Sequence, residues 1–553
     1  KMFDMIDYRL PEQSKTKIIS LHRPIPRKAA GVDFDIFDYE FLFQDAKTVD
    51  IIKRGRTIGC FYIESPGMRS LLTRLDVDTF EMLTAASSII RPGVAESGMM
   101  QEFIARHKDP KRRRYLIPGM EKILGETYGV MIYQEDVIKV AHHIAGLTLE
   151  EADLLRRAMS GKLRSKSAMI RIEERFFESC DTRGLKKHVA KELWRQISSF
   201  AGYAFCKAHS ASFALLSYQV AYLKVHYPAE FMAGVLSNGG GYYSAAVYIQ
   251  EARRLGLKIL LPCVNKSLYS YMGKGDQLRI GLQAIKNLKR NTAETVIEER
   301  KKNGDYTSLK DFLVRTRAGF EDTVHLIKCG AMDCFGMARP DLLRQLDIYV
   351  KYRRILDTLQ ESLFADEEIE LENKVIDGLD YSIEERCLAE MKAFDYMVTR
   401  HPLQFYGGWT NDPTVTTASE IPKMHGKNVK MVGWFMTAKR IRTKDGKAMK
   451  FLSLEDLTDT FEAVLFPETY AKYAEKTLSF GPYLVEGKVD ALSGNNLIVN
   501  KLEVIGGELD MELLQGATYS ESSYNGENEK IFEEETQITL NLDKEKLIRA
   551  YAG

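Results

Sequence analysis

From about residue 426 onward the apolar residues recur at every second position, whereas ahead of that point they follow the 3.6-residue spacing of helices. Few features restrict a fold more. Side chains alternate across a strand, but they return to one face of a helix only after three or four residues. The alternating segments are 429–435, 450–454, 460–466, 483–489 and 496–502. Asp445-Gly446 and Ser493-Gly494-Asn495 are the turn residues that reverse such strands. A short helical piece at 468–476 follows the third strand.

Five strands with a helix after the third outline an OB-fold barrel, an all-β module that handles single-stranded nucleic acid. Ahead of it, residues 55–271 read as mainly helical. Thr148-Leu-Glu-Glu151 is a capping box opening a helix through Met159. A second helix covers 212–225 and ends before Tyr227-Pro228; a third covers 245–254 and stops at Gly256. Shorter helical units are expected at 288–301, 309–316 and 322–329. Residues 341–400 read as helical and charged, with the acidic run 366–372 as a solvated face or loop. Residues 1–50 read mainly as loop, and the tail from Glu508 as a polar, flexible segment. With 553 residues there is room for roughly three to four domains, a mainly α multidomain part followed by an all-β barrel.

Lys+Arg is 78 against Asp+Glu 77, so any polyanion-binding face must be local. The seven cysteines are scattered and contain no CxxC pair, which argues against a disulfide framework or a zinc site and fits a reducing cytosol. No apolar run approaches a membrane span, and the acid-containing N-terminus does not read as a signal peptide. A start at Lys1 rather than Met points to a fragment or a processed chain.

Three features point to a polyanion. Arg112, Arg113 and Arg114 close the basic loop 106–114 beside Tyr115; a solvated surface loop accounts for it equally well. Arg156 and Arg157 end the capped helix, followed by Lys162; adjacent helical residues point about 100° apart, so only part of this set can face one ligand. Lys207 and His209 precede a helix start, where backbone N–H groups favour anions. Surface helix charges and a satisfied structural histidine are the plain alternatives. Nucleotidyl transfer needs clustered carboxylates for two metal ions. Asp33 and Asp35, followed by Asp38, are the one tempting set, and their spacing alone is commonplace.

From about Asp33 to Ile505 the chain resembles the alpha subunit of bacterial DNA polymerase III, a C-family polymerase. The resemblance rests on ordered motifs: Thr57-Ile-Gly-Cys-Phe-Tyr-Ile-Glu-Ser-Pro-Gly-Met-Arg69, Ile90-Arg-Pro-Gly-Val94, Tyr128-Gly-Val-Met-Ile-Tyr-Gln-Glu135, Ala152-Asp-Leu-Leu-Arg-Arg-Ala-Met159, the stretch 200–219 containing Lys207-Ala-His-Ser210, and His226-Tyr-Pro-Ala-Glu-Phe-Met232. Gly330-Ala-Met-Asp333 falls at the family's helix-hairpin-helix region and His401-Pro-Leu403 ahead of its OB domain. The resemblance implies a post-palm linker at 1–50, a fingers domain at 51–271, a helix-hairpin-helix region at 272–340, a helical linker at 341–425, an OB domain at 426–506 and a tail at 507–553.

It further implies that Arg156, Arg157, Lys207 and His209 hold a deoxynucleoside triphosphate. Arg112, Arg113, Arg114, Lys162, Lys286, Lys289 and Arg290 would contact DNA, and the barrel the template single strand. A sliding clamp would dock on Gln360-Glu-Ser-Leu-Phe364, although a plain amphipathic helix fits that segment as well. The family's Mg2+ is held by three palm aspartates, with a PHP domain and palm ahead of the matched region; no counterpart precedes Asp33, so no catalytic residue is expected in this chain, nor any metal ligand. The family implies a bacterial, cytoplasmic protein. Two departures stand out. Lys286-Asn-Leu-Lys-Arg290 has no glycine where the family's first hairpin has Gly-x-Gly, and 241–254 is closer to the error-prone, translesion branch. Two functions follow: part of a DNA-directed DNA polymerase for replication or repair, or a palm-less subunit that binds DNA and partners without synthesis.

Overall fold

The computed structural model describes residues 35–506 apart from 91–97, 160–165, 199–205, 359–379, Lys444 and Ser493. Asp33, Lys162, the acidic run 366–372, the segment 360–364 and the tail from Glu508 therefore lie outside the described residues.

The helical part is organised around the helix Lys207–His226. The helix Lys187–Ser198 shows why helices form here: it buries Val189, Ala190, Leu193 and Ile197, one stripe at helical spacing. Lys207–His226 instead buries residues on several sides, including Tyr218, Val220, Ala221 and Tyr222, because it runs through the centre of the domain. Two of its buried polar side chains are matched, whereas among the described residues the Tyr218 hydroxyl is buried without a hydrogen-bond partner. Gln219 donates to the Ile36 carbonyl at 3.0 Å, and Lys224 Nζ donates to the Arg56 and Ile58 carbonyls and to Glu251.

The sequence expectation placed this helix at 212–225. It starts five residues earlier, at Lys207, because the Lys207 N–H is capped by both Glu135 carboxylate oxygens at 3.1 and 2.9 Å. Residues 1–50 were expected to be loop, yet Tyr39–Gln44 and Ala46–Lys53 are helical, capped by the Asp38 and Asp45 carboxylates. The capping box at Thr148 forms as expected, with Thr148 N–H donating to Glu151 at 2.8 Å and Glu151 N–H to the Thr148 hydroxyl at 3.2 Å.

A small mixed sheet, unexpected from the sequence, follows the helix Ala245–Arg254. Strands β1 (Lys258–Leu260) and β3 (Gln277–Arg279) are parallel, and β2 (Met272–Lys274) pairs antiparallel with β3. Gly273 is required in β2: a Cβ there would sit 2.0 Å from the Ala229 carbonyl oxygen. The helices Arg290–Asn303, Leu309–Thr316, Phe320–Lys328 and Arg339–Thr358 then pack on the same continuous core.

The C-terminal strands β4 (Asn428–Arg442), β5 (Ala448–Glu455), β6 (Thr460–Leu465), β7 (Tyr483–Asp490) and β8 (Asn496–Val504) close a barrel in the order β4-β5-β6-β8-β7. Among the described pairs of these barrel strands, β6 and β8 are parallel and the others antiparallel. The helix Pro467–Tyr473 follows β6, as the OB outline requires. Strand β4 runs seven residues past its expected end, because its exposed second half pairs with β5 out to Arg442–Ala448. Buried polar contacts join barrel and helices: Arg69 donates to the Thr460 hydroxyl at 2.8 Å, and Arg254 to Glu455 at 2.7 Å.

Candidate nucleotide and nucleic-acid interface

The segment Tyr133-Gln134-Glu135 brings two of the four expected nucleotide-binding residues, Arg156 and Lys207, together. It is fixed from below by Asp136, whose carboxylate accepts the N–H groups of Ile132 and Tyr133, both at 3.0 Å. Burial drives the Asp136 carboxyl up to about 6 against those bonds. Gln134 accepts a bond from Arg156 Nη1 at 3.3 Å, and Glu135 caps Lys207. The Lys207 ammonium lies over the Tyr133 ring, 5.6 Å from its centroid, and pairs with Glu126.

Arg156 and Arg157 both reach Asp153, through Nη2 at 2.8 Å and Nε at 2.7 Å. One carboxylate thus gathers two consecutive arginines onto one side of their helix, despite the roughly 100° between adjacent positions. The hydrogen bond from Arg156 holds the Asp153 carboxyl below its usual range. Two guanidinium groups against one carboxylate leave an excess positive charge, with Arg157 well exposed.

His209 lies in the second position after Lys207 and contacts the Phe213 ring at 5.2 Å. Phe213 in turn meets Phe61 at 5.5 Å and Tyr62 at 4.8 Å. Phe61 is 44% exposed, and Tyr62 sits at φ 68, a left-handed conformation rare for a bulky residue. This aromatic group was not singled out in the sequence as a site; the signal was Phe61-Tyr62 inside the motif 57–69. It adds a flat apolar surface next to His209, two residues after Lys207.

The basic loop divides. Arg113 stacks over Tyr128 at 4.3 Å and donates to the Arg106 carbonyl, and Arg106 itself braces the Arg114 and Tyr128 carbonyls. Arg112 and Arg114 are exposed. Asp35 and Asp38 are engaged locally, accepting from the N–H of Phe37 at 2.9 Å and of Phe41 at 3.1 Å. Among the described residues no group of three or more His, Cys, Asp or Glu could hold a metal ion.

In the hairpin region Lys286 pairs with Asp395, Lys289 donates its N–H to Asp322 at 3.4 Å, and Arg290 lies 5.3 Å from the Tyr269 ring while pairing with Glu294 at 2.8 Å. These three form one basic edge at the start of the helix Arg290–Asn303, apart from the Arg156 corner. Asn287 takes φ 62, so asparagine supplies the left-handed turn that the missing glycine would have made. On the barrel, Lys439, Arg440 and Arg442 of β4 and Lys447 of the following turn are exposed. The sequence reading did not name them, because alternation identifies a strand but not which end leaves the barrel.

Comparison with known sequences agrees with this architecture. Residues 17–184 match the bacterial DNA polymerase III alpha subunit finger domain, residues 256–342 a helix-hairpin-helix motif, and residues 429–505 an OB-fold nucleic acid binding domain. The DNA polymerase III subunit alpha of Staphylococcus aureus (strain MRSA252) is 31% identical over 494 residues, covering 87% of this chain and 44% of that protein. Over its fingers, hairpin and barrel regions the chain belongs to the bacterial DNA polymerase III alpha subunit family. The subunit of the same name from Saccharopolyspora erythraea is 32% identical over 474 residues, covering 81% of this chain and 40% of that protein. The chain thus spans less than half the length of these family members. Of these residues, Arg156 and Arg157 fall within the finger-domain match, Lys286–Arg290 within the helix-hairpin-helix match and the β4 basic strip within the OB-fold match, while Lys207 lies beyond residue 184. Among the described residues no helix is long and apolar enough to cross a membrane.

Proposed function

We propose that this chain supplies the nucleotide-holding and DNA-holding surfaces of a template-directed DNA polymerase. The carrying observation is the approach of Arg156 and Lys207 to Tyr133–Glu135, with Arg157 joined to Arg156 through Asp153. Guanidinium forks match phosphate oxygens two at a time, and a lysine adds a point charge, so the corner suits a triphosphate. The aromatic group Phe61, Tyr62 and Phe213 beside His209 offers a face to the base or sugar of the same nucleotide.

DNA is held in two further places in this reading. The hairpin edge Lys286, Lys289 and Arg290 meets duplex phosphates, with the turn at Asn287 presenting backbone N–H groups. The β4 strip takes the single strand. Nucleotidyl transfer uses Mg2+ to activate the primer hydroxyl and neutralise the leaving phosphate. Asp35 and Asp38 do not fit as its ligands, since among the described residues they are not part of any group of three or more His, Cys, Asp or Glu that could hold a metal ion. In this reading the metal-holding carboxylates lie outside the described residues, and those residues bind without synthesising. A sliding clamp and a bacterial cytoplasmic setting complete the proposal.

The test is nucleotide binding by equilibrium dialysis with labelled dATP. Arg156→Ala with Arg157→Ala should weaken retention by about 10-fold or more, the value of one to two charge-assisted bonds. Unchanged affinity would remove the two arginines from the site. Template-dependent primer extension by the purified chain would place catalysis within it.

A further inference from the structure

Cys263 and Cys334 differ from the other cysteines in being held against each other. Cys263 is buried just after β1, and Cys334 is exposed in the 3-10 turn Asp333–Phe335. Val264 N–H donates to the Ala331 carbonyl at 2.9 Å, and Asn265 Nδ2 lies 3.8 Å from Cys334 Sγ, so the two segments are clasped beside the thiols. Asn265 is itself anchored by Tyr306, donating to its carbonyl and accepting from its N–H, both at 2.8 Å. Between these clasps the two cysteine side chains are neighbours whose thiols interact.

The electrostatics agree with the geometry. Burial pushes the thiols of Cys60 and Cys329 up to about 12 and those of Cys180 and Cys387 up to about 11. Cys263 goes the other way: the bond from Cys334, joined by the Asn265 and Lys266 N–H groups and Arg279, outweighs burial and brings it down to about 6. Cys334 correspondingly keeps the shared proton, its thiol pushed up by the Cys263 sulfur.

We propose that Cys263 and Cys334 form an oxidation site at which a hydroperoxide closes an intramolecular disulfide. The Cys263 thiolate attacks the peroxide; the O–O bond breaks, a Cys263 sulfenic acid forms, and the departing oxygen leaves as water after taking up a proton. The Cys334 sulfur then attacks the sulfenic sulfur. Its S–H proton leaves with the displaced hydroxide as a second water, and the S–S bond forms. The two thiols lose two electrons and the peroxide gains them. The bridge would tie the end of β1 to the turn that closes the second hairpin.

The whole chain is treated with hydrogen peroxide, alkylated, digested with trypsin and analysed by mass spectrometry. The expected product joins peptide 259–266 to peptide 329–344 through Cys263 and Cys334, with two of the seven thiols lost and both restored by dithiothreitol. Cys334→Ser, at an exposed position, should stop at a Cys263 sulfenic acid that dimedone traps. Circular dichroism verifies that this variant is folded. Alkylation of both Cys263 and Cys334 after peroxide, or a dimedone adduct on wild type in place of the bridge, would overturn the assignment. So would a bridge from either residue to a different cysteine.

Discussion

Arg254 and Glu455, 201 residues apart in sequence, are joined by a 2.7 Å Nη1–Oε2 bond, with Glu455 buried and Arg254 largely so. The bond continues a chain of charges. Arg254 also meets Glu251 at 3.0 Å, and Glu251 accepts from Lys224 Nζ at 2.6 Å. Two cations and two carboxylates balance, so the helical domain and the barrel are tied by a charge-neutral buried network. Such a network specifies position more than it adds stability, because desolvation offsets most of its attraction.

Removing one member should therefore hurt more than removing a pair. Glu455→Ala leaves the Arg254 charge short of a partner and should cost about 3–5 kcal/mol in denaturant unfolding. Arg254→Met with Glu455→Leu should recover most of that loss. Equal costs for the single and the double change would show that the pair carries no shared term.

The same network sets an acid limit. Burial raises the Glu251 carboxyl, but Lys224 and Arg254 outweigh it and bring it to about 2 from an ordinary 4.5. A lowered folded-state value means that the contribution is present above the ordinary value and is lost as pH falls from 4.5 towards 2. Glu251→Gln should be less stable than wild type at pH 7, with the difference shrinking across that acid window, as read by thermal unfolding at each pH.

Asp136 behaves oppositely. Its folded-state carboxyl is raised to about 6 from 3.8, so its contribution is fully present below 3.8 and is lost as pH rises through 6. Asp136→Asn keeps an acceptor for the Ile132 and Tyr133 N–H groups without the buried charge. Its stability relative to wild type should rise by ~2–3 kcal/mol between pH 4 and pH 7, because a tenfold change in proton affinity is worth about 1.4 kcal/mol. A flat difference in urea midpoints across that range would mean that Asp136 titrates normally.

What the sequence made legible was whatever is encoded locally. The Thr148–Glu151 box, the helix Leu309–Thr316 and the five alternating strands all depend on neighbours within a few residues. What escaped it depends on distant partners. Lys207 starts its helix because of Glu135, 72 residues earlier, and the preceding Cys206 gives no local capping signal. The strands β1, β2 and β3 have three residues each, too few for any period to show. Arg156 and Lys207 were nameable as cations, but their approach runs through Gln134 and Glu135 and only the fold displays it.

Asn287 offers a test of the first hairpin. At φ 62 it occupies a conformation that glycine adopts freely, asparagine tolerates and β-branched residues resist. Asn287→Gly should leave duplex binding unchanged. Asn287→Val should cost about 1–2 kcal/mol of backbone strain and weaken duplex DNA binding in fluorescence polarisation. Equal binding by both variants would separate the turn from the DNA contact.

The barrel strip is best tested by salt dependence, because a phosphate contact releases a counterion and a structural lysine does not. Lys439, Arg442 and Lys447 are exposed at the end of the β4–β5 hairpin, where no core packing depends on them. Replacing all three by Ser should leave the melting temperature near that of wild type. It should flatten the dependence of log K on log salt for a single-stranded oligonucleotide by up to about 0.7 per contact removed. Duplex binding through the hairpin edge at Lys286, Lys289 and Arg290 should keep its slope, since that edge lies on a different part of the fold. An unchanged single-strand slope would leave the barrel as a protein-docking module, with the strip as its solvated end.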